Sequence, residues 1–325
     1  MTAVSAEPTP PAAGRSPVSD RIAGAPISWG VCEVPGWSYQ LEPAVVLRQM
    51  RELGLAATEF GPEGFLPDEP AAKAATLGGY GLKAVGQFVP VVLHDPGHDP
   101  LPEVERAMAG LVAAGASTVV IAAATGQEGY DERPVLDESG WSTLLGNLDR
   151  ITEAASARGL VSTLHPHVGT MVESGEETAR VLAGSRIGLC LDTGHLHIGG
   201  GDPVAVAQQN PRRIAHAHLK DVRIGWARRV QSGEVSYTEA VAGGMYVPLG
   251  QGDVDVKAIV TALEDSGYAG WYVLEQDCIL AGAPATGSAG PDPVADVRAS
   301  IEHLLAVAGE PAVAGPVAGP SAAEA

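Results

Sequence analysis

The feature that most restricts this chain is a repeated alternation of short apolar runs with longer stretches of helical period. The runs are PISWGV (26–31), AATEF (56–60), LKAVGQFV (82–89), STVVIAA (117–123), LVSTLH (160–165), RIGLCL (186–191), RIAHAHL (213–219) and GWYVLE (270–275). Each has the length of a buried strand rather than of a helix. Helices are expected at 43–53, 69–79, 101–114, 139–158, 174–184, 202–209, 254–266 and 291–307. Glycine stands just before a strand at Gly54-Leu55, Gly81-Leu82 and Gly159-Leu160, where a helix must end before the turn. Asp202-Pro203 reads as an N-cap followed by proline in the first helical turn.

Strand–helix alternation implies a parallel sheet, and eight repeats imply a closed (β/α)8 barrel, an α/β fold in a single domain. A doubly wound open sheet is the alternative, but no GxGxxG follows the first run, where a dinucleotide site would need it. The barrel is expected over residues 22–307. Tails are expected at 1–21 and 308–325, whose Pro/Ala/Ser and Ala/Gly/Pro compositions offer no apolar stripe to bury. The longest gap, 221–250, follows the seventh strand. A loop there projects on the face where barrel enzymes carry their sites, so it is expected to act as a lid or substrate loop.

Charge narrows the partners. With 20 Lys+Arg against 39 Asp+Glu the formal charge is −19, which argues against a broad nucleic-acid face and against anionic membranes. Local basic pairs occur only at Arg212-Arg213 and Arg228-Arg229. Cys32, Cys190 and Cys278 form no CxxC pair, so neither a zinc ribbon nor a disulfide framework is expected. The first twenty residues lack an apolar signal core, and no run of apolar residues is long enough to span a bilayer. The expected location is cytoplasmic, the expected partner a small molecule. A homo-oligomer is compatible with this reading, but no residue requires one.

In a barrel enzyme the chemistry gathers at the carboxyl ends of the strands. Here these ends carry Glu59 to Glu63, His165-Pro166-His167, Asp192-Thr193-Gly194-His195-Leu196-His197, His216 and His218 followed by Lys220, and Glu275-Gln276-Asp277. Six of the nine histidines lie on or just after three successive strands. Imidazole and carboxylate groups from neighbouring strands are a ligand set for Mn²⁺, Fe²⁺, Co²⁺ or Zn²⁺, and the absence of thiolate favours a catalytic ion such as Mn²⁺. Such an ion suits carbonyl chemistry in which an α-proton leaves.

Each residue also has a plainer reading. Asp192 is equally a helix cap, Glu173 a first-turn acid favoured by the helix dipole, and Gly199-Gly200-Gly201 a flexible turn. His216 lies deeper than His218 and reads as structural. Trp29 and Trp37 either cap the barrel or wall the pocket. The joint occurrence of Asp192, His218 and Glu275 on three successive strand ends is what favours a metal site.

The same residues carry a resemblance. PISWG (26–30), Glu59–Pro62 with GFLP (64–67), HPHVGTMVES (165–174), LCLDTGHLHIGGGDP (189–203), HAHLKDV (216–222), YVPLGQGDVD (246–255) and GWYVLEQD (270–277) resemble the xylose-isomerase-like barrel superfamily of sugar phosphate isomerases and epimerases. Within it they are most similar to the inosose (2-keto-myo-inositol) dehydratase group. The resemblance implies a divalent metal held by Asp192, His218 and Glu275, with His165 standing where the superfamily usually has a glutamate. It implies a substrate-hydroxyl contact for His195 and a place beside the metal for Lys220. Trp29 and Glu63 are further candidates for substrate contact.

The implied reaction is a metal-dependent dehydration of a cyclic polyhydroxy ketone such as scyllo-inosose. The base is expected to be His167, then Glu59 or Glu173; the acid is His195 or Lys220. Isomerisation or epimerisation through the same intermediate is the alternative, and a lyase acting on a 3-keto-glycoside is a third. A phosphodiesterase of the apurinic-site endonuclease type conflicts with the charge. A binding protein without activity conflicts with the intact ligand set.

Overall fold

The computed structural model describes residues 16–34, 36–127, 129–283 and 290–311. Residues 1–15 and 312–325 of the expected tails lie outside them. The first half of the chain builds β1 (Ile22–Gly24), α1 (Pro43–Glu52), β2 (Ala57–Thr58), α2 (Pro70–Gly79), β3 (Lys83–Ala84), β4 (Gly86–Val92), α3 (Leu101–Ala113), β5 (Thr118–Ala124) and α4 (Glu138–Ser156). Next come β6 (Val161–Leu164), α5 (Gly175–Gly184), β7 (Gly188–Asp192), α6 (Thr193–Ile198), α7 (Pro203–Gln209), β8 (Ile214–Leu219) and β9 (Asp221–Val222). The remainder is α8 (Ile224–Gln231), α9 (Tyr237–Ala242), β10 (Tyr246–Val247), α10 (Val256–Asp265), β11 (Tyr272–Leu274) and α11 (Pro293–Ala308).

The main sheet is parallel and runs β3-β2-β1-β11-β8-β7-β6-β5-β4. Its two outer members, β3 and β4, are separated in the chain only by Val85, so they are one broken strand and the sheet returns on itself. This is the expected eight-fold α/β barrel. Helix faces seal its outside: Trp141, Leu144, Leu148, Ile151 and Ala155 of α4 recur every three or four residues and are all buried. A buried leucine of this kind contributes roughly 1.5–3 kcal/mol. The helices start as their sequences suggest, with Asp202 accepting from Ala205 N at 3.0 Å and Ser174 and Glu177 forming a reciprocal capping box.

Two local expectations are corrected. The first strand is not residues 26–31 but Ile22–Gly24, paired with β11 and β2. Pro26 has no N–H for a sheet ladder, and its fixed φ instead starts a 3-10 turn over Pro26–Trp29, which Gly30 ends at φ 75°. Residues 16–21, placed in a tail by composition, are instead built into the barrel. Val18 and Arg21 are buried; Arg21 donates to Tyr268 O and Gly270 O and pairs with Glu264 at 2.8 Å. Glu310 accepts from Val18 N and Ser19 N, so this residue of the expected C-terminal tail is tied to the turn before β1.

The long segment after β8 folds into α8 and α9, and its ends meet as the antiparallel pair β9–β10. Asp221 fixes the return: it accepts from Gly250 N and Gly252 N with one oxygen, and from Val222 N and Val254 N with the other. No helix among the described residues is long and apolar enough to cross a membrane.

Candidate metal and active site

Strand geometry converges the polar residues. Inward side chains alternate along a strand, so His216 and His218 of β8 share a face, with His216 one layer deeper. Asp192 ends β7, and His165 and Glu275 follow β6 and β11 directly. The result is a buried cluster in which one donor atom each from His165, Asp192, His218 and Glu275 lies within 4.8 Å of all the others. Asp192 Oδ2 is 3.2 Å from His165 Nε2 and 3.7 Å from His218 Nδ1, and His218 Nδ1 is 3.2 Å from Glu275 Oε2.

Asp192 is a helix cap, and the same cap leaves its second oxygen facing the cluster. Its Oδ1 accepts from His195 N at 2.7 Å as the N-cap of α6, which aims Oδ2 at the two imidazoles. Glu59, expected as an alternative base, is buried at the end of β2 and bonded to two imidazoles. Its Oε1 receives both His216 Nε2 at 2.8 Å and His218 Nε2 at 3.0 Å. With Nε2–H donated to a carboxylate, His218 presents its Nδ1 lone pair to the cluster. Gly86 makes room for this: a Cβ there would lie 3.0 Å from Glu59 Oε1 and 3.3 Å from the Thr118 carbonyl. Burial alone would raise the Glu59 pKa, but the His218 charge and the two imidazole hydrogen bonds hold it down at about 2.

This donor set fits a divalent cation. Ligands about 2.1 Å from one ion stand roughly 3–3.5 Å apart, close to the spacings found here. The carboxylates of Asp192, Glu275 and Asp277 face a single lysine, Lys220, and buried Glu59 adds a fourth carboxylate, so carboxylates outnumber lysines at the cluster. Burial disfavours a charge on His218, yet Cys190, Glu275 and Glu59 raise its pKa well above that of ordinary imidazole, another mark of a place that attracts a cation. His165 Nδ1 is buried with no hydrogen-bond partner among the described residues.

Above the cluster opens a cavity of about 480 Å³. His167, Lys220, Glu63, Trp37, Tyr130 and Tyr237 are among its walls. His167 donates from Nδ1 to Val168 O at 2.7 Å, which leaves Nε2 as an acceptor. Burial, reinforced by His165 and Lys220, lowers its pKa to about 3, so the ring is neutral in the physiological range. Lys220 is the opposite case. Burial opposes its charge, but Asp277, Glu275 and Asp192 raise its pKa well above the usual value. Its Nζ donates to Asp277, lies 3.2 Å from Glu275 Oε2 and stands over the Tyr246 ring.

Three further candidates are not among the residues lining this cavity. Glu173 is outside this cavity; its carboxylate accepts from Gly169 N at 2.8 Å and pairs with Arg133 at 3.3 Å, because the turn over 167–172 carries it away. Trp29 is fully buried under the barrel rim and donates to Gln49 Oε1 at 2.8 Å. His195 lies beneath His167, ring centroids 3.7 Å apart, and its Nε2 meets Lys220 Nζ at 3.2 Å rather than the cavity. The glycines at 199–201 form a turn, as in the plainer reading, but a closely packed one: a Cβ on Gly199 would collide with the Glu173 carbonyl.

The sequence reading did not assign roles to Asp277, Tyr237, Tyr246, Tyr130 or Glu33. Asp277 accepts from Tyr237 OH at 2.7 Å as well as from Lys220, and Tyr237 OH is 3.0 Å from Tyr246 OH. Tyr130 donates to Glu33 across the cavity mouth and packs on His167, ring centroids 4.7 Å apart. Asp277 was within reach, standing two residues beyond Glu275; the tyrosines come from loops without a motif.

Known proteins share this architecture. Residues 47–306 match the family described as xylose isomerase-like TIM barrel. The rhizopine catabolism protein MocC of Rhizobium meliloti is 32% identical over 277 residues, covering 82% of this chain and 85% of that protein. An inosose dehydratase of Geobacillus thermodenitrificans is 29% identical over 267 residues, 79% of this chain and 89% of that protein. Among solved structures, the IOLI protein with a binding zinc atom superposes with a TM-score of 0.64 at 16% identity, over 89% of this chain and 98% of that one. L-ribulose 3-epimerase gives a TM-score of 0.65 at 16% identity, over 89% and 94% of the two chains. The chain belongs to the xylose isomerase-like TIM barrel family.

Proposed function

We propose that the chain is a metal-dependent carbon–oxygen lyase that dehydrates a cyclic polyhydroxy ketone such as scyllo-inosose, a step of inositol breakdown. The observation that carries this reading is the placing of a neutral acceptor, His167, and a charged donor, Lys220, beside one four-donor cluster under a single cavity. The similarity to inosose dehydratases over about four-fifths of the chain supports the substrate class.

His165, Asp192, His218 and Glu275 would hold the ion, with Mn²⁺ preferred and Co²⁺, Fe²⁺ or Zn²⁺ as alternatives for an all-N/O set. A cation held by these residues would supply Lewis-acid stabilisation of negative charge on a ketone oxygen. His167 Nε2 takes that proton, its tautomer fixed by the bond from Nδ1 to Val168 O. Lys220 Nζ, kept protonated by its carboxylate neighbours, gives a proton to the departing β-hydroxyl, which leaves as water. Solvent then returns the protons to their starting places. Glu59 orients His218, and Asp277 orients Lys220 and Tyr237. Tyr130 and Tyr237 narrow the mouth against bulk water.

Exchange of the substrate α-proton in D₂O tests this assignment. Exchange is expected with the metal-loaded protein, and is expected to vanish on chelation and in Asp192→Ala. Full exchange by a demetallated Asp192→Ala protein would refute it.

A further inference from the structure

The cavity wall carries unspent hydrogen-bonding capacity beside the cluster's own donors. Gln87, on β4, is 5% exposed and lines the cavity, yet its Oε1 is buried with no partner among the described residues. Trp37, on the loop after β1, lines the same cavity, and its indole N–H is likewise buried and unpartnered among the described residues. Buried polar groups are otherwise satisfied with few exceptions, and an orphan acceptor and an orphan donor in one cavity are a cost to folding that a ligand can offset. Neither residue contacts the metal cluster or the proton-handling pair in any hydrogen bond.

We infer that Gln87 and Trp37 are specificity-determining residues that bind hydroxyls of the substrate ring, one as acceptor and one as donor. The pairing suits a hydroxyl-rich ring, because each hydroxyl both donates and accepts. The remaining charge of the wall selects against anions: Glu33, Glu63 and Glu103 line it, with Arg106 the one lysine or arginine besides the carboxylate-bound Lys220 among the described lining residues. The substrate class is therefore an uncharged, unphosphorylated polyhydroxy ring, and the site discriminates against ring analogues that lack a hydroxyl. This rests on the cyclitol-dehydratase reading and extends it to what the enzyme rejects. A site built to hydrogen-bond a hydroxyl rejects the analogue without it because its own buried groups stay unpaired.

The test is calorimetric binding of scyllo-inosose, of its monodeoxy analogues and of a phosphorylated inosose to the metal-loaded protein and to Gln87→Met and Trp37→Phe. Each variant is expected to bind scyllo-inosose about 10-fold more weakly, the effect of one lost hydrogen bond left unreplaced. One monodeoxy analogue should lose about as much with the parent protein and nothing further with Gln87→Met. The phosphorylated inosose should bind more weakly than the neutral one. The ligand-free melting temperature of Gln87→Met should be unchanged or higher, since the substitution removes an unsatisfied acceptor; a residue kept for packing alone would show a lower one. Unchanged affinity in both variants, or losses for every analogue alike, overturns the inference while the dehydratase reading stands. Failure of the parent protein to bind scyllo-inosose at all overturns the dehydratase reading, and the inference with it.

Discussion

Replacing Glu59 by Gln separates its orienting part from a part in proton abstraction. The Glu59 Oε1 atom receives His216 Nε2 and His218 Nε2 at 2.8 and 3.0 Å, inside a fully buried site. An amide of the same shape keeps an acceptor in place but loses the charge, and charge-assisted hydrogen bonds are roughly twice as strong as neutral ones. Carboxylate partners of metal-binding histidines typically govern metal affinity by 10–100-fold, or about 1.4–2.7 kcal/mol. Glu59→Gln is therefore expected to weaken divalent metal binding by that factor, read by competition with a chromophoric chelator. At saturating metal the α-proton exchange rate should recover most of its parent value. Unchanged metal affinity with exchange abolished at saturating metal would refute this and make Glu59 the base.

Three further outcomes follow from local geometry. Asp221→Asn leaves one acceptor oxygen where two now take four backbone N–H groups. Urea unfolding should show a loss of about 2–4 kcal/mol, with raised hydrogen exchange at Gly250 and Gly252. Gly169→Ala places a Cβ 2.3 Å from Tyr130 O at φ 75°, so a loss of about 1–3 kcal/mol is expected, with Tyr130 displaced from His167 in a crystal structure. Glu177→Gln tests a pH term. Burial would raise the Glu177 pKa, but the Ser174 and Glu173 N–H groups and Arg133 lower it overall. A lowered folded-state pKa contributes stability above the unfolded value of about 4.3, which is lost as pH falls through the folded value. The parent should therefore exceed Glu177→Gln in stability at neutral pH by about 1 kcal/mol, the difference vanishing in acid. A difference that persists below pH ~2 would contradict the charge argument.

Much of this molecule is legible in its sequence because a barrel converts local order into position. Apolar runs become inward strands, and whatever polar residue ends a run arrives at the rim, which is why His165, Asp192, His218 and Glu275 can be grouped by eye. What escapes is contact between remote segments. Glu59 and His216 lie 157 residues apart, and nothing near either one announces that they share a hydrogen bond. Glu173 misleads because it is close in sequence to His165 and His167, while the turn between them sends it to Gly169 and Arg133. Trp29 misleads because a proline-started turn replaces the expected strand and buries the ring. Ile22–Gly24 is too short and too small in side chain to stand out against PISWGV, although its backbone is what the neighbouring strands bind.

Two readings of the same site differ only in the fate of the β-hydroxyl. The mass of the product formed from scyllo-inosose by the manganese-loaded protein decides between them. Dehydration predicts a product lighter than the substrate by one water, formed only while His165, Asp192, His218 and Glu275 hold the ion. A product of unchanged mass would mean that the proton is returned to the ring, and that the chain is an isomerase or epimerase.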